Sequence, residues 1–313
     1  MNQIGNFRGA LLGLACGDAV GTTVEFKPRD SFPPLADMVG GGPFNLKRGQ
    51  WTDDTSMAMC LAESLVRCDD FDARDQMTRY ANWYRNGYWS ATGECFDIGM
   101  ATRAAIDQFL LSGDPLSGND DPRSAGNGSI MRLAPVVLRY ARTPELLPMA
   151  EQSSRTTHAA RECLDACRLL AAAVERALDG QSKQAVLDLR DVPVQGERLQ
   201  QIAAGTYRQA SREQIRGSGY VVDSLEAAFW CFHRHDSFAA AVLEAANLGD
   251  DADTTAAVLG QLAGAFHGAA GIPAQWLQVL AMRAEIQVLA DALHERNRVA
   301  RAGLGFATAR VPS

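Results

Sequence analysis

The sequence predicts an all-α protein built as a bundle of helices. Apolar residues recur at three-to-four-residue spacing along most of the chain, strand-like alternation is almost absent, and no linker rich in proline, glycine or serine divides the 313 residues. With 47% hydrophobic and 21% charged residues, the composition is that of a chain able to bury a sizeable core, far from disordered or collagen-like extremes.

The first predicted helix covers residues 9–16, and a small residue recurs at every fourth position through it and just beyond, at Gly9, Gly13 and Gly17. Helices are then expected over residues 56–67, 75–84 and 98–111. The clearest stripe lies in 159–179, where Cys163, Ala166, Cys167, Leu170, Ala173, Val174 and Leu178 share one face and Gly180 supplies a left-handed stop. Residues 199–211, 224–234 and 238–247 follow, then 254–267 with a second small-residue stripe, Ala256, Gly260, Gly264 and Gly268, and finally 273–296. Each mid-helix glycine costs about 1 kcal/mol, so the two stripes predict two central helices whose backbones touch. Two long irregular stretches, 27–50 and 112–129, are rich in proline and glycine, and loops of that length in a compact domain are commonly functional. Residues 301–313 read as a C-terminal tail.

Thirty Lys and Arg against 37 Asp and Glu give a net charge of -7, which opposes general binding to nucleic acid or to acidic membranes. The apolar run over residues 9–17 is far shorter than the roughly 20 residues of a membrane span. The seven cysteines are odd in number and scattered, as expected of reduced thiols in a cytoplasmic protein.

Two hydroxyl-and-carboxylate clusters precede predicted helices: Thr52-Asp53-Asp54-Thr55, and Asp250-Asp251-Ala252-Asp253-Thr254-Thr255. Helix capping explains one such cluster well. Capping needs only one or two acids, however, and without cations the remainder would repel each other. Hard oxygen ligands select magnesium, manganese or calcium, and the charges of Asp53, Asp54, Asp251 and Asp253 would balance two divalent ions, with Thr52 and Thr254 hydroxyls completing the shell. Glu25 lies in an apolar-flanked turn where desolvation would raise its pKa toward that of a general base. The Gly126-Asn127-Gly128-Ser129 turn could aim amides at phosphate oxygens, or be an ordinary turn.

Taken in order, GALLGLACGDAVG at 9–21, WTDDTSM at 51–57, CFDIG at 95–99, AGNGSIMR at 125–132, His158 and NLGDDADTT at 247–255 resemble the ADP-ribosylglycohydrolases, of the type that reactivates dinitrogenase reductase. The resemblance spans nearly the whole chain. It implies a single-domain orthogonal helical bundle over residues 1–300 with a dinuclear metal cleft, holding Mg2+ or Mn2+ through Thr52, Asp53, Asp54, Asp251, Asp253 and Thr254. Asp250 has no matching family role and reads as a supporting or capping acid. By the same resemblance Glu25 is a catalytic candidate near the distal ribose, beside Asp53 and Asp253. Ser124, Gly126, Asn127, Gly128 and Ser129 match the diphosphate cradle, His158 stands near the diphosphate, and Tyr220 matches an aromatic at the adenine end. Asp97 matches the acid that faces a substrate guanidinium, although Met100 stands where close relatives are expected to carry asparagine.

The implied activity is metal-dependent removal of ADP-ribose from arginine side chains of a modified protein. The alternatives are another linkage (serine, a nucleic-acid base or a small ADP-ribose derivative) or a non-catalytic structural relative.

Overall fold

The computed structural model of the chain describes residues 3–308, and among them every regular element is helical. In chain order the α-helices are α1 (Gln3–Gly21), α2 (Asp53–Cys68), α3 (Ala73–Asn86), α4 (Met100–Ser112), α5 (Ala134–Tyr140), α6 (Leu146–Arg155), α7 (Arg161–Leu178), α8 (Lys183–Val186), α9 (Glu197–Ala204), α10 (Val221–Arg234), α11 (Phe238–Ala246), α12 (Ala252–His267), α13 (Ala274–Val279) and α14 (Arg283–Thr308). The all-α class expected from the periodicity is what forms. Isolated bridges, such as Gly126 with Tyr220, are the nearest approach to a sheet.

The axis of the fold is the antiparallel pair α1 and α12. Gly9 faces Gly264, Gly13 faces Gly260, Gly17 faces Ala256 and Gly21 faces Ala252. At each of these four α1 positions a Cβ would overlap the carbonyl oxygen of the facing residue, so the two small-residue stripes are the halves of one interface. Every residue of α1 from Gly9 to Gly21 is buried, as is α12 from Ala252 to Ala265. A helix covered on all sides has no polar face to show, which is why residues 9–21 of α1 are apolar all round apart from Asp18. The amphipathic helices α7, α10 and α11 pack around α12, while α14 packs against α1, α2 and α5.

Several boundaries differ from the periodicity. The helix expected over residues 9–16 runs on to Gly21, taking Asp18 into its buried interior. The helix expected over 273–296 is broken into α13 and α14, because the intervening segment bonds elsewhere: the Ala281 amide donates to the Gly49 carbonyl (2.9 Å), and Trp51 Nε1 donates to the Ala281 carbonyl (3.1 Å). The helix expected over 199–211 stops at Ala204, where Gly205 turns left-handed (φ 78°). Gly180 closes the turn after α7 in that same conformation (φ 70°), as its position predicts. The short helices α5, α6 and α8 were not marked by periodicity. Of the expected tail, residues 301–308 continue α14, and residues 309–313 lie outside the described residues. Among the described residues no helix is long and apolar enough to cross a membrane.

Candidate active site

The register of the central pair brings the end of α1 beside the start of α12, and the turn after α1 carries Glu25 into that start. Glu25 Oε2 accepts from the amides of Ala252 (2.8 Å) and Asp253 (3.1 Å). Asp251, the residue at the N-cap of α12, makes no side-chain cap of its own. Asp18 serves α2 in the same way. Its Oδ1 accepts from the amide (2.9 Å) and hydroxyl (3.0 Å) of Thr52, and its Oδ2 from the amide (3.0 Å) and hydroxyl (2.6 Å) of Thr55. Capping, the plain explanation for the two acidic clusters, is therefore carried mostly by two acids of the α1 segment. Asp253 adds one local bond, accepting from the Thr254 amide at 2.7 Å.

The acids that are spared converge. Thr52 Oγ1, whose proton goes to Asp18, lies 3.4 Å from Asp253 Oδ2, and Thr254 Oγ1 donates to Asp54 Oδ1 (3.3 Å), bringing together the starts of α2 and α12. Carboxylate oxygens of Glu25, Asp251 and Asp253 lie within 4.8 Å of one another. Burial alone pushes Asp18 up to about 6; burial and repulsion from neighbouring acids push Asp97 to about 7, Glu25 to about 8, and Asp53, Asp54 and Asp253 well above the ordinary range. The charges that raise Glu25, Asp53, Asp54 and Asp253 are those of other acids in the cluster.

This donor set fits a hard divalent cation. The donors are carboxylate and hydroxyl oxygens, the charges acting on them are all of one sign, and Asp54 Oδ2 is buried with no hydrogen-bond partner. The oxygens found mutually close are those of Glu25, Asp251 and Asp253, so Glu25 joins the set that the sequence pattern marked.

Above the acids opens a cavity of about 640 Å³, with Glu25, Asp53, Asp251, Asp253 and Thr254 at its lining. Asp97 and Met100 line it as well, Asp97 on left-handed backbone (φ 59°) and close enough to Asp253 for their side chains to hydrogen-bond. Met100 is almost wholly exposed, at 91%. Gly126, Asn127, Gly128 and His158 complete the wall. A Cβ at Gly128 would come within 2.6 Å of His158 Cε1, so glycine is what lets the imidazole sit there. Asn127 Nδ2 donates to Asp251 Oδ2 (2.9 Å), which ties the loop to the acidic floor.

Other residues marked in the sequence fall elsewhere. Ser129 is buried and accepts from Cys167 Sγ at 3.5 Å, and neither it nor Ser124 lines the cavity. Tyr220 donates its hydroxyl to Glu162 (2.7 Å) and lies under the Arg198 guanidinium, in a smaller depression that shares Gly126 and Gly219 with the main cavity. Asp250, by contrast, does line the main cavity; its side chain is exposed, and its backbone exchanges hydrogen bonds with Phe26 and Lys27 (2.9 and 2.8 Å). The sequence pattern assigns no role to Asp18, although a carboxylate inside an apolar glycine-striped helix is a signal that points to a buried partner. Ser218 and Gly219 line the cavity with no mark in the sequence.

The profile of the ADP-ribosylglycohydrolase family matches residues 1–303. The chain is 50% identical to the ADP-ribosylarginine hydrolase Tri1 of Pseudomonas putida (strain GB-1), over 92% of this chain and 78% of that protein. It is 44% identical to the protein of the same name from Serratia proteamaculans (strain 568), over 91% and 78%. With the ADP-ribosyl-[dinitrogen reductase] glycohydrolase of Rhodospirillum rubrum it shares 32% identity, over 90% and 92%. A solved structure of an ADP-ribosylglycohydrolase-related protein complex superposes with a TM-score of 0.85 at 43% identity, covering 94% of this chain and 99% of that one. The motifs, the helical architecture and the similarity along the whole chain agree: the protein belongs to the ADP-ribosylglycohydrolase family.

Proposed function

We propose that the protein is a hydrolase that cleaves the N-glycosidic bond between ADP-ribose and an arginine side chain of a modified protein, with two divalent cations, Mg2+ or Mn2+, in its site. The observation that carries this reading is the delivery of oxygen donors from three distant segments, the turn after α1 and the starts of α2 and α12, to the floor of one cavity. The arginine linkage is supported by the relatives named for it at 44% and 50% identity.

Thr52, Asp53, Asp54, Asp251, Asp253 and Thr254, together with Glu25, are the residues that would hold the cations. Bound there, divalent cations would supply the missing counter-charge and Lewis acidity toward sugar and water oxygens. The chain's own residues do the rest. Glu25 is oriented by the two amides bound to its Oε2, which places its carboxylate to take a proton from the attacking water. The water oxygen bonds to the anomeric carbon, the carbon–nitrogen bond breaks, and the guanidine leaves with the electron pair and gains a proton. Asp97 offers a carboxylate to the planar guanidinium fork, a pairing that favours arginine over serine. Gly126, Asn127, Gly128 and His158 face the diphosphate, and Tyr220, in the adjoining depression, fits the adenine end. Ser124 and Ser129 support the loop from outside the cavity.

The test is release of ADP-ribose from arginine-modified and serine-modified protein, with Mg2+ or Mn2+ and then with chelator. Release from arginine that chelator abolishes is the expected result. Chelator-insensitive release would end the two-cation reading, and release from serine alone would end the role given to Asp97.

A further inference from the structure

Behind the glycine loop that walls the cavity lies a buried guanidinium whose partners are all neutral. Arg132 is fully buried. Its Nη2 donates to Thr157 Oγ1 (2.6 Å) and to the Ser153 carbonyl (3.5 Å), its Nη1 to the Gly128 carbonyl, and its face lies 5.1 Å from the Tyr80 ring centroid. The Thr157 hydroxyl is in turn 2.8 Å from His158 Nδ1.

The direction of each bond in this chain can be worked out. A guanidinium has donors only, so Thr157 Oγ1 accepts from Arg132 and keeps its own proton to give. Thr157 is 1% exposed, and a buried hydroxyl proton without an acceptor is costly. His158 Nδ1 is the acceptor in reach. Burial and the Arg132 charge hold the His158 pKa down to about 3, so the ring is neutral and carries a single N–H. With Nδ1 accepting, that N–H is on Nε2.

The Nε2 edge is the one set against the glycine loop. A Cβ would lie 3.4 Å from Nε2 if built on Gly126 and 3.0 Å if built on Gly128, and His158 lines the cavity. We propose that Arg132 and Thr157 are positioning residues that lock His158 in the Nε2–H tautomer, so that a neutral imidazole presents a hydrogen-bond donor to a phosphate oxygen of ADP-ribose. The other tautomer would turn a lone pair toward the phosphate and strand the Thr157 proton beside a cation. This inference rests on the reading of the cavity as an ADP-ribose site, and it adds the residues that set the polarity of one wall.

The test is nitrogen NMR on the full chain with 15N-labelled histidine, the His158 signals being assigned by their loss in His158→Gln. Wild-type protein is expected to show Nε2 protonated and Nδ1 bare. Thr157→Val, which keeps the shape and removes the hydroxyl, is expected to lose the fixed tautomer. It should weaken ADP-ribose binding in calorimetry about ten- to a hundredfold, the span of one lost hydrogen bond to a charged group. KM should rise with it while kcat holds, and Thr157→Ser should restore tautomer and affinity together. Wild-type His158 protonated at Nδ1 would overturn the inference, as would a changed tautomer in Thr157→Val with unchanged ADP-ribose affinity. If Thr157→Val fails to fold, the wild-type spectrum and Thr157→Ser still decide. If wild-type protein binds no ADP-ribose, the hydrolase reading fails, while the nitrogen shifts report the tautomer regardless.

Discussion

Asp18, inside α1, holds Thr55, in the first turn of α2, by two hydrogen bonds to one carboxylate oxygen: the Thr55 amide at 3.0 Å and its hydroxyl at 2.6 Å. With the matching pair from Thr52, a single buried side chain satisfies four donors and fixes where Asp53 and Asp54 begin their helix. Asp18→Ala would strand those donors away from water, a loss of about 3 kcal/mol or more. Urea unfolding with saturating Mg2+ should show it, and calorimetry should show weaker cation binding. Unchanged stability would mean that α2 is capped by something else.

Gly13 tests the central interface. Its missing Cβ is the space filled by the Gly260 carbonyl, and both neighbours are backbone that cannot rotate away. Gly13→Ala gains about 1 kcal/mol of helix propensity but must separate α1 from α12, and the net loss should be about 2 kcal/mol, the cost of an overpacked core less that gain. A denaturant midpoint at or above that of the wild type would refute the close-contact account.

Asp253 sits at the point where the starts of α2 and α12 meet. Asp253→Asn keeps the shape while removing a charge, and turnover should fall ~1000-fold or more, the loss of several kcal/mol of transition-state stabilisation. Helical circular dichroism should stay close to that of wild type. If the variant unfolds instead, the acid is structural and the site must be redrawn.

Stability of the metal-free protein should depend on pH in an unusual direction. Asp18, Asp97 and Glu25 have folded-state values raised to about 6, 7 and 8. Below about pH 4, near the ordinary carboxylate range, these groups are protonated folded or unfolded and nothing is lost. As pH rises toward about 8 the unfolded chain ionises more readily than the folded one, so the metal-free fold weakens across that window. Melting temperature in chelator should fall from pH 5 to pH 8, and saturating Mg2+ or Mn2+ should flatten or reverse the trend. A rise in chelator would contradict the packing of unpaired carboxyls described above.

Much of this could be read before any coordinates. The glycine stripes at Gly9, Gly13 and Gly17 and at Gly260 and Gly264 announced two touching helices, because a stripe without side chains has few other uses. The acidic clusters announced the floor of the site, because their charge exceeded what capping needs. What stayed hidden depends on distant partners. The break between α13 and α14 is made by hydrogen bonds to Gly49 and Trp51, which no local pattern encodes. Asp18 and Glu25 cap helices that begin elsewhere in the chain, so local sequence could not show that the acids at those helix starts were released from that duty. Ser129 carries motif-like surroundings but is buried against Cys167, and Tyr220 lies in the adjoining depression with its hydroxyl on Glu162, placements that depend on partners far along the chain.

The bond from the Ala252 amide to Glu25 spans 227 residues of chain. During synthesis α1 must therefore wait, with its glycine face uncovered, until α12 has left the ribosome. The cavity floor has no precursor in any N-terminal portion, and competence arrives in one late step. A chain stopped before α12 would leave behind an apolar helix without its mate, better suited to capture by a chaperone than to any chemistry.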